Sequence, residues 1–265
     1  MALTIRKGLA PHDAAAPETP RVAFAADTLE AAGLARETGL PLAAGDELEG
    51  YDLLLVHTPE GLALRDNRDR RVGAVQADFR TCLARGGRPA LTRRDPLARA
   101  FGREVMTIVD TTAGLGQDAA RLAAIGYHVT AIERHPAVAA LLRDALARAA
   151  DDARIARALG GRLRLLAGDA RTLLPTLDPP PDAVYLDPMF PPKRKHSAAV
   201  RKELRLLRLL AGDDDDAGEL FEIARRCARR RVVVKRPDDA PPLAPDPAVS
   251  YGGKLVRYDV YHCAA

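Results

Sequence analysis

Val105-Met-Thr-Ile-Val-Asp110-Thr-Thr-Ala-Gly114-Leu-Gly116-Gln117-Asp118 is the stretch whose reading decides the fold. Its apolar opening predicts a strand over Val105 to Asp110, and Gln117 to Ile125 carries a helical pattern directly afterwards. Glycines at 114 and 116 let the backbone approach a ligand closely where strand turns into helix. A ligand there sits at the carboxyl edge of a sheet.

Working outward, the alternation repeats downstream. Strands are expected over His128 to Glu133, Leu163 to Ala167, Ala183 to Asp187 and Arg231 to Lys235. Helices are expected over Pro136 to Ala149, briefly after Asp169, over Ser197 to Leu210 and over Gly218 to Arg229. Short apolar strands separated by helices predict an α/β, Rossmann-like fold with a mostly parallel sheet covered on both faces. The alternating run Lys254 to His262 is expected to add an edge strand. Upstream, Pro11, Pro17 and Pro20 make the start irregular, and a helix is expected over Thr28 to Glu37. Three strands follow, over Tyr51 to Val56, Gly61 to Arg65 and Val72 to Asp78, and Asp95-Pro96 opens a helix to about Phe101. This divides the chain into a small N-terminal α/β subdomain, residues 1–104, and a larger domain, residues 105–265.

The 265 residues are 47% hydrophobic and 29% charged, which excludes a disordered or fibrous chain. Net charge is only +4, but it is segregated. Arg80 to Arg103, Lys193 to Arg208 and Arg225 to Arg236 each hold seven basic residues and at most one acid. Such stretches suit a polyanion partner if they share a face, and otherwise are solvated helix surfaces. Cys82, Cys227 and Cys263 lie far apart without metal-ligand spacing, so neither a metal site nor a disulfide framework is expected. The start lacks a signal-peptide pattern and no run is apolar enough to cross a membrane, so a cytoplasmic protein is expected.

Glu133 closes the second strand about twenty residues beyond the glycine turn, where an acid reaches ribose hydroxyls in dinucleotide-binding sheets. Asp118 is unfavourable beside a pyrophosphate, which tilts the ligand from NAD towards S-adenosylmethionine with its cationic sulfonium. Asp169-Ala170 after the third strand reads as an acceptor for an adenine amine, and a helix N-cap at Asp169 is compatible with that role. The fourth strand ends in Asp187-Pro188-Met189-Phe190. This resembles the Asp/Asn-Pro-Pro-Tyr/Phe loop of amino-methyltransferases. The Asp187 carboxylate and Pro188 carbonyl would accept the two N–H groups of an exocyclic amine, and Phe190 would stack on the base.

DTTAGLGQDA, IERHPAVAALL, VYLDPMFP and VVVKRPDDAPPL together resemble the RsmJ family, over about residues 105 to 262. The resemblance implies a class I S-adenosylmethionine-dependent methyltransferase fold and methylation of guanosine N2 in 16S ribosomal RNA. It implies cofactor contacts from Gly114, Gly116, Gln117, Asp118, Glu133, Arg134, Asp169, Ala170 and Asp187. Gln117 and the Asp169-Ala170 pair depart from better-known members, which have Arg and a Ser pair there. Asp187, Pro188 and Phe190 are the expected catalytic residues, and Lys193, Arg194, Lys195, Lys235 and Arg236 the expected RNA contacts. The expected partner is 16S rRNA or the small ribosomal subunit, with no DNA and no membrane; oligomeric state stays open. The alternatives are a DNA or protein amino-methyltransferase, a nicotinamide-dependent oxidoreductase, and a non-catalytic RNA-binding module.

Overall fold

The computed structural model describes residues 19–69, 73–189, 205–210, 216–253 and 255–263. Its N-terminal part is a four-stranded sheet of Val22–Ala25 (β1), Leu42–Ala43 (β2), Leu53–Thr58 (β3) and Gly61–Asp66 (β4), in the order β2-β1-β3-β4. Helix Leu29–Thr38 (α1) makes the crossover from β1 to β2. Thr28 caps it by accepting the Ala31 N–H, and Gly39, at φ 70°, ends it. The strand expected over Val72 to Asp78 is not formed. Among the described residues of that run, only Val75 bridges to Leu64. Val75, Ala77 and Phe79 do point into the core. Their alternation serves a segment leaving the sheet, because Asp78 caps the short 3-10 turn Phe79–Cys82.

The main sheet contains Thr107–Asp110 (β5), His128–Glu133 (β6), Leu163–Ala167 (β7), Ala183–Leu186 (β8), Arg231–Pro237 (β9), Val249–Gly252 (β10) and Val256–His262 (β11). The order is β10-β11-β9-β8-β5-β6-β7, with β5 to β9 parallel and the last two strands antiparallel. The C-terminal strand is therefore not the edge: β10 pairs outside it. Strand order reverses at β5, with β6 on one side and β8 on the other, and ligands of such sheets sit over this switch point.

Side-chain alternation assigns the two faces. Ile108, Tyr185 and Val233 face one core, with Pro96–Phe101 (α2), Gln117–Ala124 (α3) and Pro136–Asp151 (α4) packed on it. Val109, Val184, Val232 and Val234 face the other, under Ala170–Leu173 (α6) and Ala217–Cys227 (α7). Between them in sequence, Ala153–Leu159 (α5) continues α4 after a single break at Asp152, which caps the new helix by accepting from Arg154 and Ile155 N–H. Residues 205–210 are also helical. Phe24, Leu55 and Leu64 of the small sheet belong to the same core as Leu141 and Leu142 of α4, and each such buried side chain stabilises the fold by about 1.5–3 kcal/mol. Arg148 of α4 also donates to the Ala77 carbonyl at 2.6 Å.

Candidate active site

The carboxyl ends of β5, β6 and β8 meet around a cleft lined by Thr112, Gly114, Glu133, Val138, Asp187 and Pro188, with Leu220 of α7 as an apolar wall. Two threonines stitch its loops together. Thr111 donates through N–H and Oγ1 to the Tyr185 carbonyl at 3.0 and 2.8 Å. The Asp187 N–H donates to Thr112 Oγ1 at 2.6 Å. The loop after β8 is thereby held against the glycine turn after β5. Glu133 accepts the Gly114 N–H at 2.9 Å and the His135 N–H at 2.8 Å. Glu133 also lines the cleft, where a carboxylate is suited to accept from ribose hydroxyls.

The two glycines do different work. A Cβ on Gly114, at φ 54°, would meet nothing nearer than the Thr112 carbonyl at 4.0 Å, so its bare backbone opens onto the cleft. A Cβ on Gly116, at φ 71°, would lie 2.6 Å from Leu142 Cδ2 and 3.0 Å from Phe79 Cε1. Gly116 therefore serves close packing of the start of α3, and neither it, Gln117 nor Asp118 lines the cleft as expected of cofactor contacts.

Asp118 turns instead into a cluster beneath the Asp187 loop. Lys235 Nζ lies 2.9 Å from Asp118 Oδ2 and 2.8 Å from Asp187 Oδ2, and the Tyr185 hydroxyl donates to the same Asp118 oxygen at 2.9 Å. Burial opposes ionisation of Asp118, but Lys235, Tyr185 and Arg121 outweigh it and hold its carboxyl below the usual range. Burial also opposes the charge on Lys235, yet Asp187 and Asp118 raise its ammonium well above the ordinary value. Asp110, at the end of β5, is pushed up to about 8 by burial, with Asp118 and Asp187 adding to the rise. Lys235 and Arg236, expected from sequence as RNA contacts, are both engaged within the protein. Lys235 is drawn into this ion-pair cluster, and Arg236 is buried with its guanidinium donating to the Pro241 carbonyl at 2.8 and 2.5 Å.

Asp169 is the N-cap of α6, accepting the Arg171 N–H at 2.8 Å while binding the Arg171 guanidinium at 2.6 Å. Ala170 is buried beneath α7. Arg134 does line the cleft, where it pairs with Asp216 at 2.7 Å. Next to it, His135 Nδ1 accepts the Ala137 N–H and caps α4. Burial first, then the Arg134 charge, lowers this imidazole to about 4, so it is neutral and able to accept near pH 7. Phe190, Lys193, Arg194 and Lys195 lie outside the described residues. Among the described residues no group of His, Cys, Asp and Glu could hold a metal ion, and no helix is long and apolar enough to cross a membrane.

Sequence reading did not single out Thr111, Thr112, Tyr185, Tyr258 or Asp216. Only the strand-end position of the paired threonines offered a signal; the others are recruited by tertiary pairing. The surroundings suit S-adenosylmethionine: an open Gly114 backbone, a ribose acceptor in Glu133, apolar walls from Val138 and Leu220, and Asp187 at the far end to favour positive charge.

The family description "Putative SAM-dependent methyltransferase" matches residues 38–263. Ribosomal RNA small subunit methyltransferase J of Thioalkalivibrio sulfidiphilus is 47% identical over 239 residues, covering 87% of this chain and 92% of that protein. The protein of the same name from Pectobacterium atrosepticum is 49% identical over 214 residues, covering 79% of this chain and 86% of its own. A crystal structure of a SAM-dependent methyltransferase from Neisseria gonorrhoeae matches with a TM-score of 0.69 and 32% identity, over 91% of this chain and 95% of that one. With that sheet order, that cleft and relatives this similar along most of their length, the chain belongs to the small-subunit methyltransferase J (RsmJ) family of S-adenosylmethionine-dependent methyltransferases.

Proposed function

We propose that the chain transfers a methyl group from S-adenosylmethionine to the exocyclic N2 of a guanosine in 16S rRNA of the small ribosomal subunit. The observation that carries this reading is the Asp187-Pro188 loop standing at the same cleft as Gly114 and Glu133. The relatives' name supplies the small-subunit rRNA, and the nicotinamide alternative falls away with the family. The amine on a guanine ring is a poor nucleophile because its lone pair is delocalised. Accepting its two N–H groups, Asp187 and Pro188 would hold the nitrogen facing the methyl donor, and a near-attack geometry of this kind supplies much of the acceleration. The bound cofactor supplies an already activated methyl group. Asp187 also favours the positive charge that develops on the nitrogen, whose proton is then acidic enough to leave to solvent.

For the RNA, Phe190 is assigned to stacking and Lys193, Arg194 and Lys195 to phosphates near the target base. A second basic feature adds to this. Arg93, Arg94, Arg99 and Arg103 line a cleft of about 840 Å³ beside Tyr251, with Arg99 stacked 4.7 Å over the Tyr251 ring. Tyr251 stands opposite Tyr258 and Tyr258 opposite Lys235, so two strand spacings of about 5 Å each separate this cleft's tyrosine from the cluster below Asp187. Residues 1–104 would thus extend the RNA surface of a cytoplasmic enzyme. Asp187→Ala is expected to lower methyl transfer at least about 100-fold while S-adenosylmethionine still binds. Comparing methyl incorporation into naked 16S rRNA, small subunits, DNA and protein tests the substrate, and mass spectrometry of rRNA from cells lacking the protein should show one N2-methylguanosine lost. Unchanged rRNA, or activity only on DNA or protein, would sink the proposal.

A further inference from the structure

We infer that Lys235 is a positioning residue for methyl transfer, holding the Asp187 carboxylate in the orientation that accepts the target amine, with Asp118 as a fixed counter-charge. The inference rests on the role given to Asp187 above. Asp187 follows the end of a strand with its side chain 36% exposed, and a carboxylate so placed can turn about its last side-chain bond. The ammonium, 2.8 Å from Oδ2, restricts that rotation and so helps to set the direction in which the carboxylate accepts. Lys235 is itself immobilised. It projects from the central part of β9, whose register partner there is Tyr258, and its second bond goes to Asp118 at 2.9 Å. Asp118 is held in turn by the Tyr185 hydroxyl.

The charge balance matters as much as the geometry. A lone Lys–Asp pair would cancel the negative charge that Asp187 must present to a nitrogen becoming cationic. Shared between two carboxylates, one ammonium neutralises neither of them fully, so Asp187 keeps part of its negative charge. Among the described residues, the groups facing this cluster include Asp110 from β5, Arg121 from α3, Tyr185 from β8 and Tyr258 from β11. Tyr258 is pushed up to about 12 and Tyr185 well above its ordinary value, so both stay neutral at working pH. Asp110, near 8, adds no charge below about pH 7. Arg121, 3.5 Å from the other Asp118 oxygen, offsets part of that acid's charge from farther away than Lys235.

Lys235→Met keeps the length and removes the charge. With 16S rRNA or small subunits as acceptor, kcat is expected to fall about 100-fold, the magnitude a misplacement of about 1 Å produces, while the Kd for S-adenosylmethionine and the KM for RNA change little. Without its cation, Asp187 should protonate at higher pH, so the acid limb of the kcat profile moves upward. Lys235→Arg keeps a cation and should recover part of the rate. Because Lys235→Met strands two acids and can weaken the fold, Lys235→Met/Asp118→Asn is the second arm: it relieves the repulsion and should restore thermal stability without restoring kcat. Wild-type kcat in Lys235→Met, or full recovery in the double variant, overturns the proposal. Carbon-13 NMR titration of Asp187 in wild type and Lys235→Met needs no RNA. If wild type methylates no rRNA, the substrate reading fails on its own, and an Asp187 titration unmoved by Lys235→Met overturns the inference separately.

Discussion

Asp110 ends β5 with 2% of its surface exposed, accepts the Thr112 N–H at 3.2 Å and has a carboxyl pushed up to about 8 by burial. The folded protein thus holds a proton there that the unfolded chain releases near pH 4. Its contribution to stability is complete below about pH 4, declines as pH rises, and is exhausted just above 8, with a slope of at most about 1.4 kcal/mol per pH unit. Asparagine mimics the protonated form and can still accept from Thr112. Unfolding free energies of wild type and Asp110→Asn, measured from pH 5 to 9, should therefore diverge in favour of the variant until about pH 8 and run parallel beyond it. Curves parallel throughout would show that Asp110 is ionised in the fold. At this scale the sequence displayed Glu133 and Asp187 clearly, because an acid at the end of an apolar strand has few structural uses. Asp118 read as a cofactor contact and Lys235 as an RNA contact, but their pairing was not legible: 117 positions separate them, and no local pattern announces a pair closed by α3 packing across the sheet.

The element most exposed to a single change is the junction of β5 and α3. Gly116→Ala places a methyl at φ 71° against Leu142 and Phe79, so left-handed strain and overpacking add, and a loss of about 2–4 kcal/mol is expected. Gly114→Ala bears similar backbone strain at φ 54° but no clash, and its methyl projects into the cleft. Denaturant midpoints and cofactor titrations should separate the two: Gly116→Ala loses more stability, whereas Gly114→Ala loses more affinity for S-adenosylmethionine than its stability change explains. The reverse ranking would mean that Gly116 faces the ligand. The parallel strands were legible because apolar runs bounded by helical pattern leave one reading. β1, Val-Ala-Phe-Ala, is buried on every residue and too short to show a period, and β10, Val-Ser-Tyr-Gly, is a mostly exposed edge with little apolar signal. α5 was hidden because one residue, Asp152, both ends α4 and starts its successor.

Across the whole molecule, three basic stretches offset by acids elsewhere give the net +4, and the first and third lie in different parts of the fold. Arg93, Arg94, Arg99 and Arg103 gather at the α2 side of the main sheet. Arg225 and Arg226 end α7 on the opposite face, and Arg229 and Arg230 stand at the amino edge beside Asp182, away from the cleft. The third stretch therefore spans the sheet from edge to edge: its Lys235 end reaches the cluster below Asp187, while Arg225 to Arg230 lie away from the cleft. If the α2 side tracks the RNA backbone, replacing the exposed Arg94 and Arg103 together with Glu should weaken rRNA binding and lower the slope of log K against log salt. Each lost phosphate contact removes about 0.7 from that slope on single-stranded RNA, so a fall of about 1.4 is expected, with cofactor affinity unchanged. Arg225→Glu/Arg226→Glu changes net charge equally on the other face. It should shift affinity only through long-range attraction, fading above about 0.15 M salt, where screening reaches about 8 Å. Equal losses from the two double variants at that salt would show that RNA responds to the protein's total charge, and the α2 cleft would lose its claim to be the contact surface.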